Sequence, residues 1–285
     1  MLVRAEEVAK VVNRLVEQAR VVDVHTHLYP QCCDDLLLRG IDDLLTYHYL
    51  VVETLRYGQI RPDDFFALSV EAQADEVWRT LFVENSPVSE ACRGVLTVLK
   101  RYGLDVGKSS LKDIRGYFKG LTLEEHVNAV FDAAKLDYVV MTNDPFDEAE
   151  TPHWGPEFKE DPRFRAALRI DPLLNNPEAA LKAVSQQGYK VGTDMSQAGV
   201  GELIRFLRDK ADLINPVYLA ASLPPSFRWK DGTLGGKVLE QAILPFCKER
   251  DIPLALMIGV NKLVNPEMRL GGDSVGKCSV ESLEH

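Results

Sequence analysis

Apolar positions in the first half of the chain recur at helical spacing, and in the second half short β-branched runs alternate with helical stretches. Val8, Val11, Val12, Leu15 and Val16 share one stripe within residues 4 to 19, which predicts an amphipathic helix. Val21-Val22-Asp23-Val24 then predicts an extended strand running into His25-Thr26-His27. From residue 31 to about residue 135 the period is helical, with almost no strand signal. Within it, helices are expected from Ser69 through Trp78 and from Pro87 through Leu99. A third runs to Ala134, opened by Thr122 with Glu125 three residues on, a capping box.

Beyond that point strands are expected at Asp137–Thr142, Phe164–Ile170, Pro216–Ser222 and Ile252–Val260. Helical stretches lie between or beside them at Glu178–Gln187, Val200–Lys210 and Gly236–Arg250. Strands alternating with helices imply parallel pairing through right-handed crossovers. Several strands end in polar residues and proline (Asn143-Asp144-Pro145, Asp171-Pro172), which gathers chemistry-capable groups on one rim. In (β/α) barrels that C-terminal rim carries the active site. With the histidine strand the count is five, where a closed barrel takes eight. The last residues, Ser279 to His285, read as the opening turns of a helix, and the missing strands are expected to follow His285.

Composition narrows the class. The 285 residues are 46% hydrophobic and 27% charged, ordinary values for a folded protein. A net charge of −10 speaks against general nucleic-acid binding, which needs clustered positive surface. Five cysteines without a CxxC pair fit reduced thiols better than a disulfide framework. The N-terminus lacks a signal-peptide pattern and no stretch has the apolar length of a membrane span, so a cytoplasmic location is expected.

The candidate chemistry centres on His25 and His27. Residues two apart on a strand project from one face, so both imidazoles can hold one cation, zinc or a neighbouring transition metal, or stand as two unrelated histidines on a half-exposed strand. Arg169, next to last in its expected strand, can hold a carboxylate by two parallel hydrogen bonds or form a structural ion pair with a neighbouring acid. Asn143, Asp144 and Asp171 read as turn or cap residues as readily as chemical ones. Tyr47, His48 and Tyr49 sit together on a helix or loop, where some can face a substrate and others the core. His126 and His153 read as structural, and the vicinal Cys32-Cys33 pair as a minor thiolate candidate. Gly271–Cys278 and Gly103–Ser109 approximate a phosphate-binding loop but lack its context, and read as plain loops.

Several stretches carry a family resemblance: Val24-His25-Thr26-His27-Leu28, Asp43-Leu-Leu-Thr-Tyr47-His48-Tyr49-Leu50 and Ser86-Pro-Val-Ser-Glu-Ala-Cys-Arg-Gly94. Val139-Val-Met-Thr-Asn-Asp-Pro-Phe-Asp147, Ala167-Leu-Arg-Ile-Asp-Pro-Leu-Leu174 and Met257-Ile-Gly-Val260 continue it. The chain resembles uronate (glucuronate) isomerases of the amidohydrolase superfamily over essentially its whole length. The resemblance implies an α/β fold, a (β/α)8 TIM barrel of the metal-dependent hydrolase type. On that reading residues 1–285 form a single barrel domain, incomplete at the C-terminus and holding the first five strands. Residues 31–135 would be a helical insertion after the first strand.

The resemblance also implies His25 and His27 as ligands of one zinc ion, completed by an aspartate at the end of an eighth strand beyond this sequence. It implies Arg169 as the anchor of the uronate carboxylate. His48 and Tyr49 would contact the sugar acid and move protons. Met257 stands where many superfamily members carry a histidine, which argues for one metal rather than two. The activity implied is reversible aldose–ketose isomerisation, D-glucuronate to D-fructuronate and D-galacturonate to D-tagaturonate, in carbohydrate catabolism. The expected partner is a small hexuronate, with no nucleic acid and no membrane, and a homo-oligomer is compatible. The rival readings are a metal-dependent amidohydrolase or lactonase on the same barrel, and a non-catalytic sugar-acid binding protein.

Overall fold

In the computed structural model, which describes residues 4–279, five parallel strands form one sheet in the order β1-β2-β3-β4-β5. These are β1 (Val21–Thr26), β2 (Leu136–Asn143), β3 (Phe164–Arg169), β4 (Tyr218–Leu223) and β5 (Leu254–Ile258). All five expected strands are present, shifted at their ends by one or two residues. The sheet is curled into a half-barrel. Tyr218 on β4 donates its hydroxyl to the Val24 carbonyl on β1 at 2.5 Å. Three strand spacings on a flat sheet would separate them by about 14 Å, far beyond a tyrosine's reach.

Curling gives the sheet two different faces. Val139, Met141, Ala166, Leu168, Leu219, Ala221 and Leu223 point outward into a buried apolar core. The helices α8 (Leu123–Ala134), α10 (Pro177–Gln186), α11 (Gln197–Ile214) and α13 (Leu244–Arg250) cover that core. The alternate positions, including Thr142, Arg169, Tyr218 and Ser222, lie outside it.

The crossover from β1 to β2 is the long helical stretch. It contains α2 (Ile41–Leu45), α3 (His48–Tyr57), α4 (Pro62–Phe66), α5 (Val70–Trp78), α6 (Glu90–Arg101) and α7 (Leu111–Lys119), followed by α8. These helices bury a second core, with Ile41, Leu45, Phe65, Val77, Leu99 and Ile114 almost fully enclosed. Arg115 on α7 ties the bundle together. It pairs with Asp42 on α2 and Asp75 on α5, both at 2.8 Å, and donates to the Glu71 carbonyl. Ser69, Ser89 and Thr122 cap α5, α6 and α8, and Glu125 closes the expected box by accepting the Thr122 N–H at 2.8 Å.

Three elements differ from the sequence reading. The first helix, α1 (Val8–Gln18), forms, but Val8, Val12, Leu15 and Val16 of its apolar stripe stay exposed and none of its residues is buried. The helix expected over Gly236–Arg250 begins earlier, as α12 (Leu234–Val238) behind the Thr233 cap. It widens to a π turn at Leu239–Ile243 before α13, which relaxes the backbone where Pro245 cannot supply an N–H. The strand expected to run through Val260 ends at Ile258 because Gly259 turns with φ +130. Val260–Asn261 then forms a separate antiparallel ribbon, β6, with β7 (Ser274–Val275). The expected C-terminal helix lies outside the described residues beyond Ser279. Helix α9 (Asp171–Asn175) follows β3 directly, and the loop at residues 144–160 lies between β2 and β3.

That loop is fastened by Glu150, only 2% exposed. Its carboxylate accepts from Asn143 Nδ2 at 2.6 Å, Trp154 Nε1 at 3.1 Å, the Asp144 N–H at 3.3 Å and the Tyr29 hydroxyl at 3.4 Å. Burial pushes the Glu150 carboxyl above the ordinary glutamate range, against the pull of these donors. Replacing Glu150 by Ala would leave the Asn143 and Trp154 donors buried and unpaired. It should destabilise the fold by about 3 kcal/mol in urea denaturation. A loss below roughly 1 kcal/mol would show that water replaces the carboxylate there.

The five cysteines are unpaired, and Cys33, Cys92 and Cys247 are buried. Burial raises the thiols of Cys32, Cys33 and Cys92, and lifts Cys247 to about 11. Cys32-Cys33 is therefore not a thiolate site. A thiol-specific reagent at pH 8 should modify the exposed Cys278 quickly and the other four only on unfolding. Fast reaction of Cys32 would contradict this.

Candidate functional site

The polar groups converge at the C-terminal ends of the parallel strands. Along β1 the pairing with β2 slips between Asp23 and Thr26, so that three steps of β1 match two of β2. Such a bulge re-aims side chains. Asp23 Oδ1 accepts the His25 N–H at 3.1 Å, satisfying a backbone group at the irregular step. Beyond the bulge His25 and His27 stand side by side. Their ring centroids are 5.7 Å apart with planes at 82°, and the Thr142 hydroxyl at the end of β2 lies 3.4 Å from His27 Nδ1.

Burial lowers the pKa of both imidazoles, reinforced by the nearby Arg169 guanidinium and, for His27, by His25 and His48. Neutral imidazoles keep a lone pair for a cation. Two rings sharing one zinc at about 2.0–2.1 Å from each nitrogen place their centroids roughly 5 to 6 Å apart, so the pair fits such an ion. Among the described residues no cluster of three or more His, Cys, Asp or Glu has the arrangement to hold a metal alone.

Arg169 ends β3 and is held side-on by Asp171. Nε donates to Oδ2 at 2.9 Å and Nη2 to Oδ1 at 2.5 Å. Nη2 also lies 3.2 Å from Ser222 Oγ on β4. The structural pairing anticipated as one role for Arg169 is thus present, and it leaves Nη1 without a hydrogen-bond partner among the described residues. Burial raises the Asp171 pKa, but the Arg169 hydrogen bonds and charge outweigh it and hold the carboxyl below the ordinary range. Asp144 is a turn residue whose Oδ1 accepts the Phe146 N–H at 2.9 Å, and burial raises its pKa.

Tyr47, His48 and Tyr49 open α3, with Tyr47 as its N-cap. Neighbouring ring centroids are 4.3 and 4.2 Å apart. Burial lowers the His48 pKa, partly offset by Asp273. His48 is close enough to His27 to act on its charge, whereas Tyr49 is 63% exposed. A cavity of about 290 Å³ beside His48 is lined by Tyr47, Val51, Phe66, Met268 and Arg269. The segment between β6 and β7 presses on this turn. A Cβ added at Gly271 would meet Val52 Cγ2 at 2.1 Å and the His48 carbonyl at 3.1 Å. A larger, mainly apolar cavity of about 520 Å³, lined by Val16, Val21, Tyr102, Phe118, His126 and Val130, includes none of His25, His27, His48 and Arg169.

His126 and His153 hold structural places: His126 Nε2 lies 3.1 Å from the Leu38 carbonyl, and His153 Nε2 3.0 Å from Asp35. Met257 on β5 pairs in register with Ser222. Sequence reasoning passed over Ser222, Thr142, Tyr29 and Glu150. Strand alternation from Tyr218 through Ala220 marks Ser222 as sharing its face, whereas nothing local marks Glu150.

No family model and no curated protein matches the chain. Among solved structures, it matches a uronate isomerase from Bacillus halodurans C-125 with 43% identity and a TM-score of 0.95. That match covers 100% of this chain and 68% of the other, so the chain spans about two thirds of its neighbour. A glucuronate isomerase from Caulobacter crescentus matches over 96% of this chain and 66% of its own, at 14% identity and a TM-score of 0.63, a likeness of fold. With 43% identity over the whole of this chain and two thirds of its neighbour, the chain belongs to the uronate isomerase family.

Proposed function

We propose that this chain belongs to an enzyme that interconverts aldose and ketose hexuronates, D-glucuronate with D-fructuronate and D-galacturonate with D-tagaturonate. The observation that carries the reading is the full-length match at 43% identity to a uronate isomerase. The site's chemistry supports it, since an imidazole pair spaced to hold a cation and a guanidinium able to pair with a carboxylate share one rim. The half-barrel would work within a closed (β/α)8 barrel, whose further strands would bring an aspartate as third metal ligand and general base. The bundle within residues 31–135 would then wall one side of the pocket. A cytoplasmic setting and a homo-oligomer are part of the same proposal.

Isomerisation moves a proton between C2 and C1 while the carbonyl migrates the other way. His25 and His27 would hold one zinc ion, which when bound supplies Lewis-acid polarisation of the sugar oxygens. Arg169 would grip the remote carboxylate, so that binding energy orients the reacting end. His48, kept neutral by its surroundings, would accept or return a proton at a sugar oxygen. Tyr49 would do so only after its exposed ring turns inward. Met257 at the end of β5 supplies no nitrogen ligand, which favours a single cation over a two-metal hydrolytic centre.

Three outcomes are expected. Replacing His25 or His27 by Ala should weaken zinc affinity at least about ten-fold, read by competition with a chromogenic chelator. Unaltered affinity in both variants would remove the pair as ligands. In D2O the protein should place deuterium at C2 of D-glucuronate, with no turnover of an ester and lactone panel. Arg169→Leu should raise the KM for D-glucuronate roughly 100-fold and collapse its preference over neutral aldoses. Lactone hydrolysis without C2 exchange would make the protein a hydrolase, and uronate binding without exchange would make it a binder.

A further inference from the structure

Arg169 is not free to swing. Its Nε and Nη2 hydrogens are committed to the two oxygens of Asp171, and Asp171 Oδ1 also accepts the Ser222 N–H at 2.9 Å. Asp171 is 5% exposed and anchored at the first residue of α9, so one buried carboxylate knots the ends of β3 and β4 to the guanidinium. Ser222 Oγ, 3.2 Å from Nη2, occupies the remaining direction on that nitrogen. Five N–H groups radiate from a guanidinium in one plane. Three are accounted for here, and the two on Nη1 are left on the side away from Asp171.

We propose that Asp171 is a positioning residue for hexuronate recognition, fixing Arg169 side-on so that its Nη1 edge is presented to the substrate carboxylate. This rests on the reading of Arg169 as the carboxylate anchor. Two physical effects oppose each other. The Asp171 charge cancels much of the positive field that Arg169 offers an anion, so on charge alone its removal would tighten uronate binding. Its two hydrogen bonds also remove the rotational freedom of a long side chain, so on orientation its removal would loosen binding. The guanidinium's planar donor set makes orientation the larger effect, because an Nη1 edge turned away from the carboxylate loses its hydrogen bonding to it altogether.

The test is steady-state kinetics with D-glucuronate on the full zinc-loaded protein. Asp171→Asn should raise KM about ten-fold with kcat within about three-fold of the parent. In an Arg169→Leu background the same change should add nothing further, since Asp171 acts through Arg169. A KM that stays put or falls would overturn the inference and assign Asp171 to charge balance alone. Additive effects in the double variant would overturn it too, showing that Asp171 acts independently. If Arg169→Leu alone leaves the D-glucuronate KM intact, the anchor reading itself fails, an outcome distinct from either. Should Asp171→Asn prove unfolded by its thermal melting curve, Asp171→Glu takes its place. That change keeps the charge and displaces it by one methylene, with the same expected rise and the same overturning results.

Discussion

Everything at this rim depends on the sheet being bent. Histidines at the end of β1 and an arginine at the end of β3 stand two strands apart, about 10 Å on a flat sheet, with their side chains parallel rather than convergent. Curling turns parallel side chains inward toward a common point. The Tyr218–Val24 hydrogen bond spans that bend directly. Small residues allow it: Ala167, Ala220 and Ala255 lie on the strands between the longer polar groups. The outward face supplies the energy, since Leu168, Leu219 and Leu223 are enclosed by helices whatever stands on the other side. Apolar burial is thus confined to one face, and the other is free to carry charge.

Charge on that free face is balanced locally. Arg169 is matched by Asp171, and partial desolvation and the neighbouring guanidinium push both solvent-accessible histidines toward the neutral form. An unmatched guanidinium as enclosed as this one would be costly to fold. A matched one costs less but presents less charge to an incoming anion. Directional hydrogen bonding from the uncommitted Nη1 edge reconciles stability with recognition, because geometry rather than net field then does the selecting.

Local signals wrote much of this into the chain. β-branched runs located every strand of the main sheet, and Thr122 with Glu125 located the start of α8, since both depend on neighbours a few residues apart. Alternation placed His25 and His27 together, although the bulge between Asp23 and Thr26 left no trace a strand pattern could reveal. The side-on capture of Arg169 was one of two open roles in the sequence, and only the pairing of β3 with β4, which sets Ser222 against Asp171, identifies it. Glu150 was illegible for a deeper reason. Its four donors come from Tyr29, Asn143, Asp144 and Trp154, and the Tyr29 partner is more than a hundred residues away. The exposed stripe of α1 shows the converse limit. A pattern specifies which face seeks burial, but not what covers it.

The helical bundle between β1 and β2 has its own reason to be rigid. A group that moves protons must keep its distance to the reacting atoms within a fraction of an ångström, and long crossovers ordinarily lack that precision. Here the crossover carries a second core around Phe65, Leu99 and Ile114, stitched by Arg115 to carboxylates on two other helices. Tyr47 and His48 therefore sit at the start of a helix that is packed on one side by this core. On the other side it is pressed by Gly271, where any larger residue would collide with Val52. His48 is thereby held by structure that shares no core residue with the half-barrel. Two separately packed bodies meet at one rim, and the site inherits the stiffness of both.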